Sequence, residues 1–159
     1  VLIETIKRDY LEYRFNDAAV SIREFVWNLF APHYVEMVKS RAYGRGFSQS
    51  EQKAAWFTLN TCLRVVLKLL APIMPFITDH LWLKINNKTS IHSESFPEAK
   101  WEKGLAKLTV KLIEFNSMVW NRKKEKGLSL RESMKIKIPE ELDAFKKDLV
   151  AMHNIKNGC

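Results

Sequence analysis

The chain has 159 residues, 47% of them hydrophobic, enough for one domain, or one domain plus a small appendage, around a real core. Its net charge of +8 and pI near 9.5 suit a polyanionic partner. Five Pro and five Gly argue against disorder, two Cys make no disulfide framework, and no apolar run approaches the ~20 residues of a membrane span.

Leu2, Ile3, Ile6, Tyr10 and Tyr13 stand at helical spacing, so residues 1–14 read as a first helix. Asn16 or Asp17 is the expected cap of a second, which buries Ala18, Ile22, Phe25, Val26 and Leu29 before it meets Pro32. Gly44 to Phe47 is a loop with two glycines. Ser48 to Glu51 is a capping box that opens a long helix. Leu59, Cys62, Leu63, Val66, Leu67 and Leu70 make its apolar stripe. Pro72 stops that helix near Ala71, and Pro75 suits the first turn of the next. The expected buried side of this next helix is Met74, Ile77, Leu81 and Ile85, which makes 63–82 a tight elbow with both arms buried. Residues 86–90 break the pattern.

A long helix follows, with Trp101, Leu105, Leu108, Leu112, Phe115 and Val119 on one face and Lys103, Lys107 and Lys111 on another. It is expected to run to about Lys126, with Gly127 beyond its end. Met134 to Ile138 alternates apolar residues with lysine, a short strand. Pro139-Glu140-Glu141 opens a helix with the stripe Leu142, Phe145 and Leu149. A lone strand leaves its backbone unsatisfied, so 127–159 needs a partner strand, and Ile155 is where another begins. The predicted architecture is therefore mainly α: a helical bundle over 1–126 with a small α/β appendage over 127–159. The start at Val1 within a helical pattern suggests a fragment of a longer protein. Cys62 in the apolar stripe reads as core, Cys159 is terminal, and a reducing, cytoplasmic setting fits both.

Residues 100–137 hold eleven Lys/Arg and four Glu, nearly the whole net charge. The densest part is Trp120-Asn121-Arg122-Lys123-Lys124-Glu125-Lys126-Gly127. A helix end favours such lysines through its dipole, and a phosphate-contacting patch needs them too; the residues alone leave both readings open.

Several runs, in order, carry a resemblance. They are Phe15-Asn16-Asp17-Ala18 with Glu24-Phe25-Val26-Trp27-Asn28; Tyr34 to Tyr43 (YVEMVKSRAY); Leu69 to Trp82 (LLAPIMPFITDHLW); and Ser90-Ile91-His92 with Phe96-Pro97. Phe115-Asn116-Ser117-Met118-Val119-Trp120 followed by Lys123-Lys124-Glu125-Lys126-Gly127-Leu128-Ser129-Leu130 completes them. Together they resemble the anticodon-binding helical domain of class I aminoacyl-tRNA synthetases, most of all the archaeal-like valyl enzymes, with isoleucyl or leucyl types as alternatives. Ser40 stands where the family often has Pro, and Phe96 where it has Trp.

The resemblance implies that the chain reads a tRNA anticodon, with tRNA-Val and the catalytic domain of the parent chain as partners and no membrane. It implies a parent valine–tRNA ligase using ATP and Mg. The His-x-Gly-His and Lys-Met-Ser-Lys-Ser motifs of that chemistry do not occur here, nor does a glycine-rich phosphate loop. His33, His80, His92 and His153 show no metal-ligand spacing with the cysteines, and Asp79-His80 with a distant Ser is no triad without geometry. The fragment alone is expected to be non-catalytic and to hold no cofactor.

Unpaired RNA loops are read by splaying bases onto aromatics and hydrogen-bonding their edges. The candidate RNA-binding residues are Arg14, Phe15 and Asn16 at the start of the second helix, Lys39, Arg41 and Tyr43 after it, and Asn116, Trp120, Asn121, Arg122, Lys123 and Lys124 on the long helix. Phe15 and Trp120 read more readily as core aromatics than as RNA contacts, and Asn16 reads also as only a cap. A helical scaffold without ligase activity, binding RNA or an acidic protein, is the other class of function.

Overall fold

The computed structural model describes residues 1–86, 89–98 and 103–156. Lys100, Trp101, Glu102 and Cys159, and the side chains of Lys103 and Leu105, lie outside the described residues. The chain is mainly helical, and among the described residues its one sheet is a two-stranded parallel pair. The chain divides into two compact units, Val1–Asn28 with Trp56–Trp101, and Leu29–Ala55 with Glu102–Cys159. Residues 127–156 thus share a unit with the long helix.

In the first unit, α1 (Leu2–Leu11) and α2 (Phe15–Glu24) form a hairpin. Tyr13 takes φ +58 in the turn and is 82% exposed, so it leaves the α1 stripe. The tight turn starts α2 early: Arg14 is its N-cap and makes no side-chain cap bond. Asn16 and Asp17 therefore lie inside the first turn rather than at the cap, where Asp17 still suits the dipole. Ile6, Ala18, Ile22 and Leu69 are the core, with Tyr10 and Phe96 packed on it. Tyr10 donates its hydroxyl to Leu69 O at 2.6 Å, and burial pushes its pKa up to about 12.

Helix α4 (Gln49–Leu70) and α5 (Pro75–Asn86) form the predicted elbow, with the turn at 71–74. The buried side of α5 differs from expectation. Met74, Ile77 and Leu81 are exposed, while Thr78 and Trp82 are buried. The Thr78 hydroxyl donates to Met74 O at 2.8 Å within its own helix, so it enters the core at little cost. Trp82 then packs with Leu67, Ala71, Ile85 and Ile91. Asp79 Oδ1 accepts from Ser90 Oγ at 2.7 Å and Ile91 N at 2.9 Å, which holds the 3₁₀ turn Ile91–Ser93 against α5 and draws the Asp79 pKa down.

Pro32 does not end the second helix. The backbone continues through it as a π-helical segment, Phe25–Val35, into α3 (Glu36–Ala42). A π-type winding is a rare form that here carries the chain past a residue without a donor. It also leaves Leu29 44% exposed and buries His33 instead.

In the second unit, α3 packs on α7 (Lys146–His153), and α6 (Lys103–Glu125) on the 3₁₀ segment Glu140–Phe145. Met37, Val38, Leu112, Phe115, Val119, Leu142 and Leu149 are buried there. The capping box forms: Ser48 Oγ accepts from Glu51 N at 3.3 Å, and Glu51 accepts from Ser48 N at 2.7 Å. These bonds, with Lys147 at 2.9 Å, hold the Glu51 pKa at about 2. Gly127 (φ +64) stops α6: Leu128 N reaches Lys123 O at 2.9 Å and Gly127 N reaches Lys124 O at 3.0 Å. That paired closure needs the left-handed residue glycine supplies. The partner strand is β2 (Ile155–Lys156), in register with β1 as Met134↔Ile155 and Lys135↔Lys156. Pairing of β1 (Met134–Lys135) stops after two residues, although burial alternates on to Ile138.

Candidate nucleic-acid interface

Buried polar groups at the centre of the second unit shape the candidate site. Asn116, fully buried on α6, faces two histidines from distant parts of the chain. Its Oδ1 accepts from His153 Nε2 at 2.8 Å, and its Nδ2 donates to His33 Nδ1 at 3.3 Å. The amide thereby assigns the Nε2–H tautomer to His153 and an acceptor Nδ1 to His33. Burial, then repulsion from Lys123, pushes the His153 pKa down to about 4, and burial lowers that of His33.

Two turns on, Lys123 is fully buried and donates to Leu130 O at 2.7 Å and His153 O at 2.8 Å. Burial lowers its pKa, against a smaller pull from Glu132. Asn154, at φ +51 past the end of α7, donates to Arg131 O at 2.8 Å. These bonds tie the 128–131 loop and the end of α7 to α6.

Above them opens a cleft of about 380 Å³. The half-buried Trp120 is one wall, its ring centroid 5.0 Å from that of His33 and 6.1 Å from that of His153. Lys39, Arg131, Glu36 and Asn154 complete the polar lining. Such a cleft offers an aromatic face for a base and cations for its phosphate.

The structure places the sequence-chosen residues differently. Lys39 and Trp120 line the cleft, and Lys39 also pairs with Glu36 at 3.1 Å. Asn121, Arg122 and Lys124 are exposed on the last turns of α6. Asn116 and Lys123, expected to meet RNA, are corrected: both are fully buried and act as internal supports, because each has protein partners that water or RNA would otherwise supply. Arg41 is spent on Asp148, with Nε 2.9 Å from Oδ1, and lies over the Phe47 ring at 5.7 Å. Tyr43 is 65% exposed, with the Arg45 guanidinium 5.4 Å from its ring.

Arg14, Phe15 and Asn16 belong to the first unit. Arg14 pairs with Asp9 at 2.5 Å, with Glu12 and with Asp17, so its charge is locally neutralised. Phe15 is 45% exposed, 5.7 Å from Tyr10 and 6.4 Å from Tyr13, and Asn16 is exposed. Arg131, Glu36 and Asn154 escaped sequence reasoning, since nothing local marks them; they come from the 128–131 loop, from α3 and from the residue past α7, and only the tertiary fold brings them to Trp120. Among the described residues no group of His, Cys, Asp or Glu could hold a metal ion, and no helix is long and apolar enough to cross a membrane.

The histidine pair makes stability pH-dependent. A histidine whose pKa falls on folding leaves the native state neutral, so its contribution is intact above the unfolded value near 6.5 and is lost as pH falls toward 4. Acidification across that window is expected to cost about 3 kcal/mol. Melting temperatures followed from pH 7 to 4 check it, and His153→Gln, which keeps a donor, should flatten the profile.

A family model described as the anticodon-binding domain of tRNA ligase matches residues 1–138. Similar proteins include the valine–tRNA ligase of Pyrobaculum aerophilum, 40% identical over 154 residues, which are 93% of this chain and 19% of that protein. The valine–tRNA ligase of Aeropyrum pernix is 34% identical over 160 residues, 95% of this chain and 19% of that protein. That of Nanoarchaeum equitans is 35% identical over 144 residues, 91% and 18%. The chain spans about a fifth of the length of these curated relatives.

Proposed function

Because this chain belongs to the family of anticodon-binding domains of tRNA ligases, we propose that it recognises the anticodon of tRNA-Val as part of a valine–tRNA ligase. The observation that carries the reading onto named residues is the Trp120 cleft. It combines an aromatic wall, two cations and hydrogen-bonding side chains in a volume of about 380 Å³, enough for one splayed nucleotide. Arg122 and Lys124, exposed on the same helix end, grip the neighbouring phosphates. In this reading the ATP and Mg chemistry of valine attachment, and contacts to the acceptor end, lie on polypeptide outside this chain.

Valine anticodons share A and C at the middle and last positions, so those bases are the ones to be read. The test is a titration with tRNA-Val, and with the same tRNA altered at those two bases, at two salt concentrations. Loss of affinity on the base change is the expected result. Trp120→Ala should weaken binding by about 1–3 kcal/mol, the usual worth of one base–aromatic stack. Replacing Arg122 and Lys124 together should lower the salt slope by about two, one for each lost phosphate contact. Salt-sensitive binding indifferent to the anticodon would leave a basic RNA-gripping surface; no binding at low salt would favour a scaffold.

A further inference from the structure

Reading the valine anticodon takes two neighbouring bases, and the Trp120 cleft, at about 380 Å³, has room for one nucleotide. A second position lies one helical turn away. Lys39 lines that cleft, and Tyr43 follows it by four residues at the end of α3. Tyr43 N bonds to Lys39 O at 3.1 Å, so the helical path continues between them. Residues so spaced share a face, with their Cβ atoms about 6 Å apart. A splayed dinucleotide spans that step.

Tyr43 is 65% exposed, and the Arg45 guanidinium lies over its ring, 5.4 Å from the centroid. With one face under the cation, so large an exposure leaves the other face to solvent. The turn that presents the pair is closed by two bonds. Arg45 N reaches Ser40 O at 2.9 Å and Gly44 N reaches Arg41 O at 2.9 Å, which requires the left-handed Gly44 (φ +67). Gln52 Nε2 donates to Ala42 O at 2.9 Å, and a Cβ on Gly44 would meet the same amide at 3.0 Å. The start of α4 thus holds the turn in place.

The dipole of α3 favours a cation here whether or not it has a ligand. It does not account for a large ring held in water by a rigid turn. Nor is a phosphate repelled. The acids of α3, α4 and α7 are Glu36, Glu51 and Asp148, and they already face Lys39, Lys147 and Arg41. Among the described residues no carboxylate pairs with Arg45, so its charge is uncompensated. An open aromatic face beside free positive charge is what an unpaired base and its phosphate require.

We propose that Tyr43 and Arg45 form a second nucleotide position: Tyr43 stacks one of the two shared anticodon bases, Trp120 takes the other, and Arg45 meets a phosphate. This rests on the anticodon reading, and the test separates the two. The 159-residue chain is titrated with tRNA-Val and with tRNA-Val lacking the base at the middle or at the last anticodon position. Tyr43→Leu, which keeps bulk without a π face, should weaken tRNA-Val binding about tenfold, within the range of one base–aromatic stack. Tyr43→Phe should bind as the parent chain does. The loss in Tyr43→Leu should vanish on one of the two abasic tRNAs and persist on the other, the one on which Trp120→Ala no longer weakens binding. Arg45→Gln should lower the salt slope by about one.

Both side chains are exposed, so these variants should fold; should Tyr43→Leu not, the cycle is run with Arg45→Gln. Equal loss on all three tRNAs overturns the proposal, because the ring then meets neither base. So does Tyr43→Phe binding as weakly as Tyr43→Leu. A parent chain that discriminates both bases while Tyr43→Leu binds as tightly ends this proposal and keeps the anticodon reading. A parent chain indifferent to both bases, or one that does not bind at low salt, ends both.

Discussion

Arg41→Ala is expected to destabilise the second unit by about 4 kcal/mol, within the 3–5 kcal/mol typical of breaking a buried ion pair from one side. The reason lies with the partner. Asp148 is 2% exposed and Arg41 26%, so removing the guanidinium leaves a carboxylate sealed from water with its charge uncompensated. The pair is also a fork, with Nε and one Nη each meeting one carboxylate oxygen. Arg41→Lys keeps the charge but loses that geometry, and should recover only part of the loss. Replacing both partners by apolar residues of similar size should cost much less than Arg41→Ala, since no charge is then stranded. Urea unfolding of the single and double variants measures all three. Near-equal stability of Arg41→Ala and the parent would show that the pair contributes nothing. The sequence places Arg41 among the RNA contacts, so tRNA affinity should be compared only where the variant is folded.

The second large effect is at Lys123. Lys123→Ala is expected to cost about 3 kcal/mol: the buried His153 carbonyl loses its donor, at about 1–3 kcal/mol, the carbonyl of the exposed Leu130 loses one at smaller cost, and the emptied stem leaves a cavity. Part of this is offset, because the ammonium itself is unfavourable where burial lowers its pKa. Lys123→Met fills the cavity without supplying donors, so it should be the milder change. Hydrogen exchange is the sharper measurement. Protection should fall first in 128–131 and at the end of α7, the two places that Lys123 ties to α6. The salt dependence of tRNA binding separates this role from the one expected from sequence. A lysine on a phosphate takes about one unit of salt slope with it, whereas a buried clamp leaves the slope unchanged. An altered slope in Lys123→Met would therefore put the side chain back on the RNA.

Neither effect is visible along the chain. In sequence, Lys123 is one of three consecutive basic residues, and its neighbours Arg122 and Lys124 do face solvent. Helical geometry turns each residue by about 100°, so one of three adjacent lysine-like residues can point inward. Which one does depends on where α6 meets the loop and α7, and that is a tertiary fact. Arg41 and Asp148 are 107 residues apart, and no local pattern joins them. The error on α5 has the same origin. Its apolar residues Met74, Ile77 and Leu81 form a stripe by spacing, yet Thr78 and Trp82 are buried because the knee at 71–74 sets the rotation of the helix. Pro32 shows the limit of a breaker rule: a missing donor ends an α-helix only if no wider winding takes it up.

What the sequence determined unaided is everything set by near neighbours or by a long linear pattern. The elbow at Pro72 and Pro75, the Ser48–Glu51 capping box, the stop at Gly127 and the need of β1 for a partner strand all follow from chain chemistry within a few residues. The ordered runs from Phe15 to Leu130 were enough to point to the anticodon-binding family. The tertiary structure alone decided which polar residues are buried and which are free to meet a ligand. Burial is a sum over parts of the chain far apart in sequence, and a charge costs or contributes according to the neighbours that this sum supplies. Trp120 thereby became a wall beside Arg131 and Asn154, while Lys123, three residues away, became part of the framework beneath it.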